Sequence, residues 1–252
     1  MKKLANFTPT HTTGREEVSN FYSQDASLAY FLNKLNKRFF CFHNVLDREY
    51  CRNVALKIKK NLKNVEFLLY KAESFNLVFT SHLLKLQEEG FTDIVYLPDD
   101  AACVTKNTKF IDEVLELYKK NKDITFLSLC IKSGEINHNA QKTHHISKNL
   151  ILSLYPTSVF RDTNLLDIIN RPYVAKINFL LELCDKTYSE LRTKNEGDLY
   201  LRSQFLKQNL VKIACLNKRL FKCFYYNSTV RDTRLKELHL MRKLLQHKKH
   251  LV

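Results

Sequence analysis

Asp99 and Asp100 are adjacent carboxylates that follow the apolar run Ile94-Val95-Tyr96-Leu97 and Pro98. Two carboxylates side by side suit a hard divalent cation, which takes oxygen ligands and in turn grips phosphate oxygens. Holding two like charges together in a partly dry site would be costly without that cation. A solvated turn capping a helix could use the same residues, so the setting of the pair decides its meaning. Glu196-Gly197-Asp198 is a second candidate. A carboxylate on a glycine turn at a helix start is well placed as a general base, and Asp198 serves equally as a plain N-cap. His138, His144 and His145 gather in a polar segment. Their spacing matches no familiar ligand pattern, which leaves substrate contact from a covering loop.

The elements that must position these groups alternate. Residues 94–97 read as a buried strand, because a continuous apolar run rich in β-branched and aromatic residues fits a two-sided core. Pro98 cannot donate to a ladder, so the strand stops there and delivers the two acids to a carboxyl end, where open α/β sheets place ligands. Residues 1–23 read as a polar arm or irregular lead-in. Asp25 caps a helix reaching about residue 37, and 38–42 is a strand. Asp47 caps a helix over 48–62, and 65–70 is the next strand, which suggests a right-handed parallel crossover. A helix over 77–89 ends at Gly90 as its C′ residue. Thr108 caps a helix over 109–121, and 123–131 is another strong strand. This alternation predicts an α/β layered sheet.

The rhythm breaks over 132–149, and 149–155 resumes as a strand. Val159-Phe160-Arg161 and a short helix over 163–169 follow. Pro172 opens an expected helix of about twenty residues. A helix over 199–208 precedes a final strand pair at 211–216 and 220–226. Residues 231–250 read as a basic helix with Leu235, Leu238, Met241, Leu244 and Leu245 on one stripe. It either faces an anionic surface or packs on the sheet with a solvated face.

The chain has 252 residues, with 41 Lys and Arg against 26 Asp and Glu, a formal net charge of +15. Such an excess favours anionic partners: nucleic acid, acidic lipid or a phosphorylated small molecule. With only four glycines, neither a Rossmann fingerprint nor a Walker P-loop is present. Seven scattered cysteines without a CxxC pair argue against structural zinc and for buried free thiols in a reducing compartment. No secretory leader pattern and no run of eighteen apolar residues occurs, so a cytoplasmic location is expected, with peripheral contact at the cytoplasmic membrane face through the basic C-terminal helix.

Ile94-Val95-Tyr96-Leu97-Pro98-Asp99-Asp100-Ala101 resembles the strand-plus-Asp-Asp signature of GT-A fold glycosyltransferases. Asn76-Leu77 and Ser81-His82 are similar to the helix that borders the nucleotide in that family. Glu196-Gly197-Asp198-Leu199-Tyr200-Leu201-Arg202 with Lys212-Ile213-Ala214 resembles a stretch of the inverting, family 2-like members, and Val159-Phe160-Arg161 resembles their strand before the acceptor-side helix. The resemblance covers roughly residues 38–226. The family often has a His after its last strand, where Cys223 or Asn227 falls here.

The resemblance implies a single GT-A-like α/β domain, its mixed, mostly parallel sheet flanked by helices. The division is 1–37 as N-terminal arm and helix, 38–230 as catalytic domain and 231–252 as basic helix. It implies Mn²⁺ or Mg²⁺ on Asp99 and Asp100, a UDP- or GDP-sugar donor, and Glu196 or Asp198 as the base. His43, Asn44, Lys71, Asn76 and Asp99 would contact the donor. The expected activity is glycosyl transfer, with inversion, to a glycan, lipid or protein acceptor. Two rivals use the same features: a nucleotidyltransferase-like enzyme with the same Asp-Asp metal logic, and a basic nucleic-acid-binding protein.

Overall fold

The computed structural model describes residues 2–11, 25–43, 48–60, 62–69, 75–98, 101–132, 142–145, 147–148, 150–156, 171–184 and 210–223. The strands are β1 (Leu4–His11), β2 (Lys37–His43), β3 (Val65–Leu69), β4 (Asp93–Tyr96), β5 (Ala101–Cys103), β6 (Phe126–Lys132), β7 (Lys142–His145), β8 (Leu150–Pro156), β9 (Tyr173–Lys176), β10 (Leu210–Leu216) and β11 (Phe221–Cys223). The helices are α1 (Ala26–Asn33), α2 (Arg48–Lys59), α3 (Phe75–Glu88), α4 (Thr108–Lys120) and α5 (Ile177–Cys184).

Local chemistry sets many of the boundaries. The Asp25 carboxylate accepts from the backbone N–H groups of Ser27 and Leu28 at 3.0 and 3.1 Å, which satisfies two of the donors left open at a helix start. Leu28, Phe31 and Leu32 then fall on one buried stripe of α1, at the spacing an amphipathic helix needs. Asn107 caps α4 by accepting from Phe110 N–H, one residue before the expected Thr108. Gly90 follows α3 with a φ of +77°, the left-handed conformation that glycine adopts without steric cost.

Among the described residues nine strands form one sheet in the order β3-β2-β1-β4-β9-β6-β10-β8-β7, while β5 and β11 make a separate ribbon. The pairs β1–β2, β2–β3, β1–β4 and β6–β10 are parallel. β9 runs antiparallel to both β4 and β6, and β8 antiparallel to β10 and β7. Of these nine strands seven run one way and only β9 and β8 the other, so the sheet is mixed and mostly parallel, as expected. Its core is lined by Phe7, Phe39, Phe79, Ile94, Phe126 and Tyr173, each without solvent exposure. No helix among the described residues is long and apolar enough to cross a membrane.

Four expectations are corrected. Residues 4–11 are not lead-in: β1 lies between β2 and β4, so the sheet starts well before residue 38. The helix expected from Pro172 is instead strand β9 followed by α5; a four-residue strand is enough to fill the slot between β4 and β6. The expected final pair is split, since β10 joins the main sheet while β11 pairs with β5. His144 and His145 lie exposed on β7, at the end of the strand order, rather than on a loop above β4. The expected elements at 159–169, 199–208 and 231–250 lie outside the described residues.

Candidate functional site

β4 is buried at all four positions. Its ladder with β1 runs one step beyond the strand, through Leu97 N–H to Phe7 C=O at 3.0 Å. Beyond it, Ala101 N–H donates to Pro98 C=O at 3.0 Å, which ties together the residues on either side of Asp99 and Asp100. β5 then pairs with β11, with Ala101 opposite Cys223. Val104 N–H bonds to Leu220 C=O, and Leu220 N–H to Leu129 C=O on β6, each at 2.9 Å. The chain on both flanks of the Asp-Asp pair is thus anchored to the sheet.

The strand order gives this end of β4 its significance. From β1 the chain moves outward to β2 and β3, then returns to the other side of β1 as β4. The reversal makes a topological switch point between β1 and β4, and a crevice outside the carboxyl ends there is where such sheets bind ligands. Asp99 follows β4 at that end, after Leu97 and Pro98. His43 closes β2 opposite His11 of β1, and β3 ends at Leu69, two positions before Lys71. Asn76 sits in the first turn of α3. Asn44, Lys71, Asp99, Asp100, Glu196 and Asp198 themselves lie outside the described residues, as do the side chains of His43 and Asn76. Among the described residues no three His, Cys, Asp or Glu groups gather as a metal site.

Aromatic rings back the carboxyl end of β4. Phe7, Tyr96 and Tyr173 hold one register row across β1, β4 and β9. Their rings lie 6.4 Å apart for Phe7–Tyr96 and 5.1 Å for Tyr96–Tyr173, both stacked, and Phe126 adds a contact of 4.7 Å to Tyr173. His82, which the sequence aligns with the nucleotide side, is instead buried at 1% exposure. Its ring packs 4.5 Å from Phe39 and 5.0 Å from Phe7. Burial, helped by Lys85, pulls its pKa down to about 4, so the imidazole is neutral.

Two groups with structural roles were not visible in the sequence. The Arg38 guanidinium donates to the carbonyls of Leu32 at 2.7 Å, Leu35 at 2.9 Å and Lys63 at 2.7 Å, joining the end of α1 to the lead-in of β3. At the foot of β4, Tyr118 Oη donates to Asp93 at 2.6 Å, and Thr92 Oγ1 donates to the other carboxylate oxygen at 2.5 Å. The Lys2 ammonium sits 3.6 Å over the Tyr118 ring and donates to the carbonyls of Tyr118 and Asn121, each at 2.9 Å. Burial lowers the Lys2 pKa to about 8, partly offset by Asp93.

No protein-family model matches this chain, and no curated protein matches its sequence. Its backbone does match solved structures. The 4-diphosphocytidyl-2C-methyl-D-erythritol synthase of Anaerococcus prevotii superposes with a TM-score of 0.53 at 9% identity, over 96% of each chain. The chain shares the α/β fold of that synthase, a mixed sheet flanked by helices. An apo UDP-glucose pyrophosphorylase superposes at 0.49 with 10% identity, over 96% of this chain and 99% of that one. Mannose-1-phosphate geranyltransferase of Thermus thermophilus gives 0.48 with 9% identity, over 88% and 75%. At such identities the likeness is one of fold alone.

Proposed function

We propose that this chain is a glycosyltransferase of the GT-A, family 2-like kind, moving a sugar from a nucleotide-diphosphate donor to an acceptor hydroxyl with inversion. The observation that supports it is the switch point between β1 and β4, with the Asp99-Asp100 segment tied at both flanks beside it. Asp99 and Asp100 are oxygen donors suited to Mn²⁺ or Mg²⁺, and the bound cation would neutralise charge on the leaving diphosphate. His43, Asn44, Lys71 and Asn76 belong to segments leaving β2 and β3 or opening α3, on the β1 side of the crevice, and would hold base, ribose or phosphate. Glu196 or Asp198 would take the proton of the acceptor hydroxyl as its oxygen attacks the anomeric carbon. Glycan, lipid and protein acceptors all fit this chemistry. A cytoplasmic setting is proposed with it, with residues 231–252 touching the membrane face.

Nucleotidyl transfer is the second reading, favoured by the fold likeness to the Anaerococcus synthase, whose name is that of a diphosphocytidyl compound. One experiment separates the two. The full chain with Mn²⁺ is incubated with UDP- and GDP-sugars, and in parallel with nucleoside triphosphates and sugar phosphates. Release of nucleoside diphosphate from the sugar nucleotide supports glycosyl transfer, and release of pyrophosphate supports nucleotidyl transfer. Binding to nucleic acid that is steeply salt-dependent and unaffected by Asp99→Ala and Asp100→Ala would replace both with the nucleic-acid reading.

A further inference from the structure

The outer face of α2 carries an apolar residue that packing does not account for. Cys51, Val54 and Ile58 are buried and make the stripe by which the helix packs. At about 100° per residue, Leu56 stands opposite the centre of that stripe, and it is 54% exposed. Arg52 lies one turn before it and Lys60 one turn after, both exposed. Residues 52–65 contain five cations and no acid.

The neighbouring strand repeats the pattern. β3 ends the strand order, and none of its five residues is buried although four are apolar. Leu69 is 53% exposed. Phe67 is the register partner of Phe40, their rings stacked at 6.0 Å, and Lys59 Nζ sits 5.5 Å over the Phe67 ring. The outer side of α2 and the Val65-Phe67-Leu69 row thus form one continuous surface on one face of the sheet, since alternate strand residues share a face. Helix α3 covers the other face, where His82 packs against Phe39. Glu66 belongs to that other face and pairs with Lys37 at 2.8 Å. Glu49, in the first turn of α2, stands two turns before Leu56, where the helix N-terminus favours an acid.

We infer that this surface docks on an anionic lipid bilayer, Leu56 and Leu69 entering the acyl boundary while Arg52, Lys60 and Lys63 meet the headgroups. Leucines ringed by cations on an amphipathic helix suit an interface of hydrocarbon and negative charge. A single-stranded nucleic acid would be held by cations and flat aromatic platforms, and leucine offers neither. A second copy of this chain fits worse. Two α2 helices packed antiparallel about Leu56 would set Arg52 of each against Lys60 of the other. The docking does not depend on which group the site transfers, and it uses a surface separate from residues 231–252.

The test is co-sedimentation of the full chain with phosphatidylcholine vesicles, with and without about 30% phosphatidylserine. The anionic vesicles should bind at least tenfold more tightly. Lys60→Gln with Lys63→Gln should weaken that binding at least fivefold, and so should Leu56→Ser with Leu69→Ser. Leu84→Ser with Lys85→Gln, a matched loss from the exposed side of α3, should leave it unchanged. The chain contains no tryptophan, so Leu56→Trp provides a single reporter. Its emission should move to shorter wavelength on anionic vesicles, and that of Leu84→Trp should not. No preference for anionic vesicles overturns the inference. Binding that survives either pair of changes, or falls equally with the α3 pair, overturns it too, as does unshifted Leu56→Trp emission. Tighter binding of a twelve-nucleotide single-stranded DNA, weakened by the lysine pair and untouched by the leucine pair, would replace it with a nucleic-acid surface. All the altered side chains are exposed, and circular dichroism melting confirms that each variant is folded.

Discussion

Tyr118 on α4 donates a 2.6 Å hydrogen bond to Asp93 at the start of β4, pinning the strand that leads to the Asp-Asp pair from its opposite end. Asp93 is 1% exposed, and burial together with the neighbouring carboxylate raises the Tyr118 pKa well above 10, so the hydroxyl stays a donor. Tyr118→Phe removes the donor and keeps the ring beneath Lys2. Leaving a buried carboxylate one bond short should lower stability by about 1–3 kcal/mol, read as a reduced denaturant midpoint at unchanged slope. An unchanged midpoint would mean that water replaces the bond.

Stability should fall with acid because of His82. Its pKa is lowered from 6.5 to about 4 by burial first and Lys85 second. Between those values the unfolded chain binds the proton and the folded chain does not, so the contribution is full above about pH 6.5 and lost as pH drops toward 4. At about 1.4 kcal/mol per unit, the loss from this group is roughly 3 kcal/mol. His82→Leu should flatten the slope of stability between pH 6.5 and 4 in urea titrations. A slope equal to that of the unaltered chain would assign the acid sensitivity to other groups.

Arg38 holds three carbonyls from two separate segments while 4% exposed. Lysine offers one ammonium in place of a planar fork. Arg38→Lys should therefore cost about 2 kcal/mol through carbonyls left without a donor, with faster amide exchange at Leu35 and Lys63. Full retention of the melting temperature would show that the joint is dispensable.

Asp99→Asn and Asp100→Asn test the cation. Each variant should keep its melting temperature without ligand and lose the stabilisation that UDP with Mn²⁺ confers on the unaltered chain, since a ligand that binds only the folded state raises stability by mass action. Undiminished stabilisation in both variants would remove these residues from the metal site.

Much of the layered α/β order could be read directly. Ile94 to Leu97 is a continuous apolar run and Phe126 to Ile131 is apolar but for Ser128, and Asp25 and Gly90 mark helix ends by chemistry that needs no partner. β1 was hidden because its row of Asn6, Thr8, Pro9 and Thr10 reads as polar loop. Asn6 and Thr8 are nevertheless fully buried. They satisfy each other through Asn6 Nδ2 to Thr8 Oγ1 at 2.9 Å, and Asn6 Oδ1 accepts from Phe39 N–H at 3.0 Å. With β1 unread, the switch point beside β4 could not be located, although the acids that follow β4 could. β9 failed for another reason: Tyr173, Val174 and Ala175 run straight into an apolar helix and are too short to show a period of their own.

The position of β9 also bears on how the chain is made. β6 leaves the ribosome long before either of its neighbours, β9 and β10, and six of its seven residues end up buried. During that interval both edges of a strongly apolar strand await partners not yet translated, while β1 to β4 can already assemble. The nascent chain should thus draw on chaperones most heavily once residue 132 has emerged and until residue 176 follows, since exposed strand edges are what such species aggregate through.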